Sequence, residues 1–292
     1  MSGSNQVIFD RQAVRRHRDR AANDLGSFSF LFREIAERLA DRLSDIRREF
    51  PLALDLGSHN GVLADILGGR GNIKAMVQCD ISEKMVLGAS GLRVVGDEET
   101  QPFAASCFDL VLSSGSFHWI NDLPGTLVQA LMSLRPDGLF LVNFFGGETL
   151  KELRLSLLEA ENEFKGGAGL RVSPFADVRD AGALLQRTGF GLPVADSECL
   201  TVSYNSPLKL LHDLRGMGEV NAVIGRQKAF TPRKMLFRAC TLYKNRYGDE
   251  AGRIPATFEI ITLTGWAPAP NQQNPAKRGS GQLALKDVLD NL

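Results

Sequence analysis

The sequence predicts an α/β fold in which helices cover both faces of a doubly wound, mostly parallel sheet of seven strands. Two observations lead to this prediction. Segments with helical spacing alternate with short apolar runs through the first half of the chain. Several of these runs are apolar throughout, which is typical of strands that are buried on both faces of a sheet.

The apolar runs define the predicted strands. Five lie in the first half of the chain, at 52–57, 75–80, 92–97, 108–114 and 138–145. Two more, at 199–204 and 256–266, complete the sheet. The first strand runs directly into a glycine-rich turn, and Pro51 is expected to stop the helix before it.

The predicted helices fill the intervals between the strands. Phe32, Ile35, Leu39 and Leu43 recur at helical spacing in the segment 28–50. Ser82 is expected to cap the helix that follows the second strand. The remaining helices are predicted at 10–24, 62–67, 83–89, 123–134, 149–164, 178–187 and roughly 206–247.

These elements predict three regions. Residues 1–50 are expected to form N-terminal helices that cover a cofactor site, and residues 51–268 the main domain. A helical insertion at about 206–247 is expected to act as a lid on that domain. The tail at 269–292 is rich in Pro, Asn, Gln and Gly, so a flexible segment is expected there.

Composition narrows the possible functions. The 34 basic and 34 acidic residues balance, so no overall field would attract nucleic acid. No apolar run is long enough to span a bilayer, and the N-terminus lacks the apolar stretch of a signal peptide. The cysteines form no CxxC pair, which argues against a disulfide framework or a zinc site and favours the cytoplasm. No metal site is expected.

The turn after the first strand, Asp55-Leu-Gly57-Ser58-His59-Asn-Gly61, is the first candidate binding site. Small residues allow the chain to reverse tightly and the backbone to approach a ligand closely. Dinucleotide-binding enzymes use the same pattern, so the turn alone does not decide the ligand. An acidic residue at the turn suits the cationic amino-acid end of S-adenosylmethionine better than a pyrophosphate.

Acidic residues also end the next two strands. Asp80 lies where a carboxylate can accept both hydroxyls of a ribose, and Asp97 and Glu98 lie where one can accept an adenine amino group. Ligands bind at this edge of parallel sheets, so the set predicts an S-adenosylmethionine site. The alternative is that each carboxylate merely caps its own turn. Further candidate cofactor contacts are Ile81, Met85 and Ser114.

His118 and Trp119 follow the fourth strand and are the candidate catalytic residues. His118 has the chemistry of a general base near neutral pH, and Trp119 that of a pocket wall or of a platform for a guanidinium. The alternative is that Trp119 packs on the next helix and His118 is only hydrogen-bonded. Asn121 and Asp122 are expected to cap that helix.

Several stretches carry a resemblance to the class I methyltransferases. SSGSFHWINDLP (113–124) and LRPDG (134–138) resemble the malonyl-carrier-protein methyltransferases of biotin synthesis. FGGETLKELR (145–154), SPF (173–175), MGE (217–219) and PATFEI (255–260) resemble the mitochondrial complex I assembly factor and its bacterial relatives. The second group has the methyltransferase fold and is credited with hydroxylating an arginine of a complex I subunit.

The resemblance extends from residue 7 to residue 281 and implies a protein substrate, a complex I subunit. Because it begins so early, we expect no presequence and a bacterial, cytoplasmic protein. Glu148 and Glu219 are the candidate carboxylates for an arginine substrate, since a guanidinium prefers a bidentate acidic partner. Arg171 and Ser173, in the glycine-rich loop, are expected to belong to a mobile lid over the site.

Two features near the turn modify this picture. The family's turn reads D-x-G-x-G-x-G, and His59 replaces the middle glycine, so its ring must point away from the methionine moiety or narrow the pocket. N-terminal helices of this fold often cover the cofactor, so Arg18 or Arg20 is expected to reach the cofactor's carboxylate.

Several functions remain open at this point. They are methyl transfer to a protein substrate, hydroxylation of an arginine, methylation of a malonyl carrier protein, and a chaperone role without catalysis. Only four histidines are present, at 17, 59, 118 and 212, and we expect no two-histidine, one-carboxylate iron site for a hydroxylase among them. The oligomeric state is not predicted.

Overall fold

The computed structural model describes residues 7–167, 169–270, 272 and 280, and within them seven strands form one sheet. The strands are β1 (Phe50–Leu56), β2 (Ile73–Asp80), β3 (Leu92–Val95), β4 (Phe108–Ser114), β5 (Leu134–Phe145), β6 (Gly191–Tyr204) and β7 (Ile254–Trp266). Their order is β3-β2-β1-β4-β5-β7-β6. The first five strands are parallel, and β7 pairs antiparallel with both β5 and β6. The predicted fold class is confirmed.

Ten helices lie in the described part of the chain. They are α1 (Arg11–Ala21), α2 (Leu25–Phe28), α3 (Phe30–Ser44), α4 (Val62–Leu67), α5 (Glu83–Gly88), α6 (Leu123–Ser133), α7 (Lys151–Lys165), α8 (Val178–Arg187), α9 (Pro207–Met217) and α10 (Arg233–Tyr247). As predicted, the Ser82 hydroxyl caps α5 by accepting a hydrogen bond from the backbone N–H of Met85.

Both faces of the sheet are buried, as the continuous apolar runs predicted. Successive residues of one strand point to opposite faces. Ala53 packs in the layer of α3, α4, α7 and α10, and its neighbour Leu54 packs in the layer of α6 and α8. Leu110 and Val111 of β4 divide in the same way.

Three predicted elements differ most from their bounds in the structure. The helix predicted over 28–50 ends at Ser44, and Pro51 lies inside β1 near its start, where a missing N–H is tolerated. The stretch predicted as helical over 206–247 is two helices, because Gly218 ends α9 in a left-handed conformation with φ +85°. β6 begins eight residues earlier than expected, at Gly191 instead of residue 199.

No helix among the described residues is both long and apolar enough to cross a membrane.

Candidate active site

The carboxyl ends of the parallel strands bring buried acidic residues to one edge of the sheet. Asp55 lies near the end of β1, Asp80 ends β2, and Glu98 follows β3. All three side chains are fully buried. The structure therefore brings together the carboxylates that the sequence places at this edge.

Asp55 is the least satisfied of these groups. Neither of its carboxyl oxygens has a hydrogen-bond partner among the described residues. Burial, and then the negative charge of Asp80, raise the pKa of the Asp55 carboxyl to about 8. At neutral pH the carboxyl is therefore largely protonated, and it lacks the cation that would stabilise its ionised form.

Asp80, in contrast, accepts several hydrogen bonds. Its Oδ1 accepts the backbone N–H of Ser82 at 2.8 Å, and its Oδ2 accepts the backbone N–H of His59 at 3.0 Å. The same Oδ2 accepts Nη1 of Arg18 at 2.8 Å. The carboxylate predicted to hold a ribose is thus already bound by a side chain of α1.

Arg18 enters the edge of the sheet from α1 and is almost completely buried. Its Nη1 also lies 3.1 Å from Glu98 Oε1, and its Nη2 donates to Ser116 Oγ at 2.7 Å. Burial alone would lower the pKa of this guanidinium, but the charges of Asp80 and Glu98 raise it, so Arg18 stays cationic. The sequence pointed to a cofactor carboxylate as its partner; in this structure its partners are the protein's own carboxylates.

A second arginine of α1 closes the outer part of the same edge. Arg11 donates to Asp97 Oδ1 at 2.6 Å and also pairs with Glu98. Burial opposes the charge of Arg11, but Glu98 and Asp97 raise its pKa. The two arginines neutralise the carboxylates of both the second and the third strand.

The glycine turn has the close approach that its sequence predicts. Gly57 has φ +79°, and its backbone N–H donates to the Cys79 carbonyl at 2.7 Å. A side chain at Gly57 would collide with Ser116 and Glu98. Gly61, with φ +90°, begins α4. Only glycine fits at Gly57, both for its backbone angle and for the space around it.

His59, which replaces a glycine of the family pattern, is buried with a left-handed φ of +50°. Its ring packs against Phe32 with centroids 4.4 Å apart, and its Nε2 lies 3.3 Å from the Gly115 carbonyl oxygen. Burial, and then the charge of Arg18, lower its pKa to about 3, so the ring is neutral. The ring lines a cavity beside Asp55 of only about 10 Å³. His59 therefore narrows the space at the turn.

His118 and Trp119 form a turn after β4 and share one acidic partner. His118 Nε2 and Trp119 Nε1 each lie 2.9 Å from Oε2 of Glu219. Burial would raise the pKa of the Glu219 carboxyl, but the charges and the hydrogen bond around it, those of His118 first, together lower it. Glu219 is therefore an ionised carboxylate in a largely buried place.

A cavity of about 460 Å³ lies beside Glu219. Its walls are mostly apolar and include Trp119, Phe145 and Phe175. Arg171 and Ser173, two of the residues predicted to contact substrate, also line it. We call this cavity the acceptor pocket.

Glu148, the other predicted substrate carboxylate, does not line the acceptor pocket. Its side chain is exposed and pairs with Lys151 at 3.1 Å. Arg171 is held by Glu161 at 2.7 Å, so its charge in the pocket is compensated.

The other predicted residues have mixed surroundings. Ser58 and Ser114 are buried beside the small cavity at the turn, and Ser114 donates to Asn143 at 3.1 Å. Met85 packs in the hydrophobic core, and Ile81, directly after β2, is partly exposed.

Asp122 caps α6 as predicted, by accepting from the Gly125 N–H at 2.9 Å. Asn121 does not share this capping. Its Oδ1 accepts the backbone N–H groups of Ile8 at 2.8 Å and Phe9 at 2.7 Å. Asn121 thereby fixes the segment before α1 to the lip of the site, a role that the sequence did not reveal.

Among the described residues, no group of three or more His, Cys, Asp or Glu side chains is arranged to hold a metal ion.

Comparison with known proteins places this geometry in a family. A family model described as a methyltransferase domain matches residues 54–142. The mitochondrial arginine-hydroxylase NDUFAF5 of Danio rerio is 41% identical over 96% of this chain and 89% of its own length. The human NDUFAF5 is also 41% identical, over 96% of this chain and 83% of its own. The chain belongs to the methyltransferase-domain family that includes NDUFAF5.

A second group of relatives is named for methylation of a malonyl carrier protein. The malonyl-[acyl-carrier protein] O-methyltransferase of Gallionella capsiferriformans is 31% identical over 91% of this chain and 94% of its own length. Both resemblances seen in the sequence motifs are confirmed.

Solved structures agree on the fold. The YcgJ protein of Bacillus subtilis matches with a TM-score of 0.55 at 16% identity, over 80% of this chain and 98% of its own. Phosphoethanolamine N-methyltransferase 2 of Haemonchus contortus, solved with S-adenosyl-L-methionine, matches with 0.55 at 15% identity, over 88% and 60%.

Proposed function

We propose that this protein binds S-adenosylmethionine and methylates an arginine side chain of a protein substrate during assembly of respiratory complex I. The observation that carries the proposal is Glu219. It is an ionised carboxylate, fixed by His118 and Trp119, at the wall of an aromatic pocket next to the carboxyl edge of the sheet. The family membership supplies the fold and the class of chemistry.

The residues at the turn fit the cofactor. Asp55 offers the ligand's amino group two buried oxygens that have no hydrogen-bond partner among the described residues. The space beside Gly57 is occupied by Ser116 and Glu98 in this structure. Asp80 would accept the ribose hydroxyls, with Asp97 and Glu98 beside the adenine. When bound, S-adenosylmethionine supplies an electrophilic methyl group on its sulfonium.

Cofactor binding on Asp80 requires Arg18 to move. Oδ2 of Asp80 already accepts two donors, and Arg18 is one of them. The backbone of α1 packs on Gly218, the neighbour of Glu219, since a side chain at Gly218 would lie 3.4 Å from the His17 carbonyl oxygen. A shift of α1 would therefore move residues both at the carboxyl edge of the sheet, where the cofactor would bind, and at the wall of the acceptor pocket.

The acceptor pocket suits a guanidinium. Glu219 offers a negative charge to its planar donors, and aromatic rings stack well on its faces. A protonated guanidinium is a poor nucleophile, so transfer to one of its nitrogens requires a base. Glu219 is placed to accept that proton and His118 to share it, because the two side chains are in direct contact.

Arginine hydroxylation is the second candidate. The relatives at 41% identity are named arginine-hydroxylases, and the same pocket would bind the same side chain. For a malonyl group the pocket has opposing charges: Glu219 would repel its carboxylate, and Arg215, which also lines the pocket, would attract it.

The test is to incubate the full protein with unlabelled S-adenosylmethionine and recombinant candidate complex I subunits, and then to measure the subunits by mass spectrometry. A gain of about 14 Da on an arginine supports methylation, about 16 Da indicates hydroxylation, and no gain favours a chaperone. The Glu219→Gln variant should lose the modification. Glu148→Gln is the matched control, since this exposed glutamate lies outside the pocket and should leave the modification intact.

A further inference from the structure

A second cavity, of about 370 Å³, adjoins the acceptor pocket. The two share Arg171, Val220 and Asn221 as walls. The second cavity is lined by the basic residues Arg171, Arg226 and Lys228 and has no carboxylate among its lining residues. His17 also lines it, but burial, and then the charge of Arg20, lower the pKa of its ring to about 4, so the ring is neutral. The charged side chains that line this recess are therefore all positive.

Some of these cations are compensated and others are not. Glu161 pairs with Arg171 at 2.7 Å, and Asp10 lies 3.4 Å from Arg226. Lys228 is exposed and has no carboxylate within 4 Å in the described part of the chain. The positive charge of the recess is thus concentrated at its open side.

A third cavity that adjoins the acceptor pocket also carries cations. Arg215 lines both the acceptor pocket and a third cavity, which Arg20 also lines. Both arginines are exposed, and neither forms an ion pair with a described carboxylate. Asp24 is the one acidic lining residue of that third cavity. Cations without an acidic partner among the described residues therefore line both cavities that adjoin the pocket, although the whole chain has no net charge.

Exposed apolar side chains lie beside these cations. Leu170 lines the second cavity and is 51% exposed, and Ile224 is 49% exposed. Phe230, next to the pocket residue Thr231, is fully exposed. Large apolar side chains grouped around a recess are typical of surfaces that contact another protein.

We propose that the surface formed by Arg20, Arg215 and Lys228 with Leu170 and Phe230 binds an acidic segment of the protein substrate. Acidic residues would flank the side chain that enters the acceptor pocket. The proposal rests on the proposed function, since it names the chemistry of the substrate of that pocket. A peptide is favoured over a membrane because Arg171, Arg226 and His17 lie inside a recess, which a chain can enter and a flat bilayer cannot.

Binding of synthetic peptides tests this without any turnover. The probes are fluorescein-labelled peptides with one central arginine, flanked on both sides by glutamates in one and by lysines in the other. Fluorescence anisotropy with the full protein at low salt should give roughly tenfold tighter binding of the acidic peptide, and the preference should shrink at high salt. The double variant Arg215→Glu/Lys228→Glu should lose the preference.

The matched control is Arg187→Glu/Lys244→Glu, which changes the net charge equally at exposed positions of α8 and α10 outside the three cavities. Equal binding of both peptides by the unmodified protein overturns the proposal, as does an equal loss in the control variant. Sedimentation with phosphatidylserine vesicles is run in parallel. Vesicle binding that the double variant loses, without a peptide preference, would assign the surface to a membrane instead.

The two proposals fail separately. A preference for the acidic peptide without any mass change on complex I subunits would keep the docking surface and refute the chemistry. A mass change without the preference would support the proposed chemistry and refute the docking surface.

Discussion

Replacing Arg18 by Met tests how strongly the ion pairs of Arg18 hold α1 against the carboxyl edge of the sheet. The change removes the guanidinium and keeps an unbranched apolar side chain in its place. It breaks hydrogen bonds of 2.8 Å to Asp80, 3.1 Å to Glu98 and 2.7 Å to Ser116, and it leaves Asp80 without a positive partner. Glu98 keeps its pair with Arg11.

The size of the effect follows from burial. Removing one partner of a buried ion pair costs about 3–5 kcal/mol, and the retained Arg11 contact places this case near the lower end, at about 3 kcal/mol. For a domain of this size each kcal/mol lowers Tm by roughly 2–4 °C, so we expect a fall of roughly 6–12 °C. Differential scanning calorimetry without ligand measures it, and Arg20→Met, which removes an exposed arginine of the same helix, serves as control.

The same variant should bind the cofactor product more tightly. Arg18 and a ribose compete for Oδ2 of Asp80, so removal of Arg18 should lower the Kd of S-adenosylhomocysteine about tenfold, or about 1.4 kcal/mol. Isothermal titration well below the variant's Tm is the assay. Binding weakened by a similar factor would show that Arg18 holds the ligand instead of excluding it. An unchanged Tm would refute the assigned strength of the ion pairs.

Three further predictions concern the turn and the acceptor pocket. Burial raises the pKa of Asp55 to about 8, above its value in the unfolded chain, so the free energy of unfolding should decrease as the pH rises from about 4 to about 8. Urea titrations across this range should find a smaller decrease for Asp55→Asn. An equal decrease in the variant would contradict the assigned pKa. His59→Gly should lower the free energy of unfolding by about 1–2 kcal/mol, because the contact with Phe32 is lost. Calorimetry should find that the variant binds S-adenosylhomocysteine more tightly. An unchanged affinity would show that the ring does not narrow the site. Glu219→Gln should slow arginine modification about 100-fold, as measured by mass spectrometry over time. The affinity for S-adenosylhomocysteine should stay nearly unchanged. A normal rate of modification would show that Glu219 takes no part in the reaction.

Much of the sheet could be predicted because its central strands are buried on both faces. β4 has the predicted bounds, as do α4 and α8, since these segments are apolar or periodic and are bounded by polar or glycine residues. β6 was predicted too short because it lies at the edge of the sheet and every residue of its first half is exposed or partly exposed, so that half has no apolar pattern. The break between α9 and α10 depends on the conformation of Gly218, which helical spacing does not reveal.

The site divides in a similar way. Asp55 and Asp80 could be placed because strand ends in a parallel sheet share one edge. The partners of Asp80 could not, because Arg18 lies 62 residues away along the chain and reaches it only through the packing of α1. Glu148 and Glu219 look equivalent in the sequence, and only the fold separates the exposed residue from the one beside His118. The roles of these residues in cofactor and substrate binding stay predictions.

A crystal structure of the protein grown with saturating S-adenosylhomocysteine tests directly whether Asp55 and Asp80 bind the cofactor. We expect the ribose at Asp80, the amino group at Asp55, and the Arg18 guanidinium withdrawn from Asp80. A crevice without ligand, with Arg18 still bound to Asp80, would contradict it.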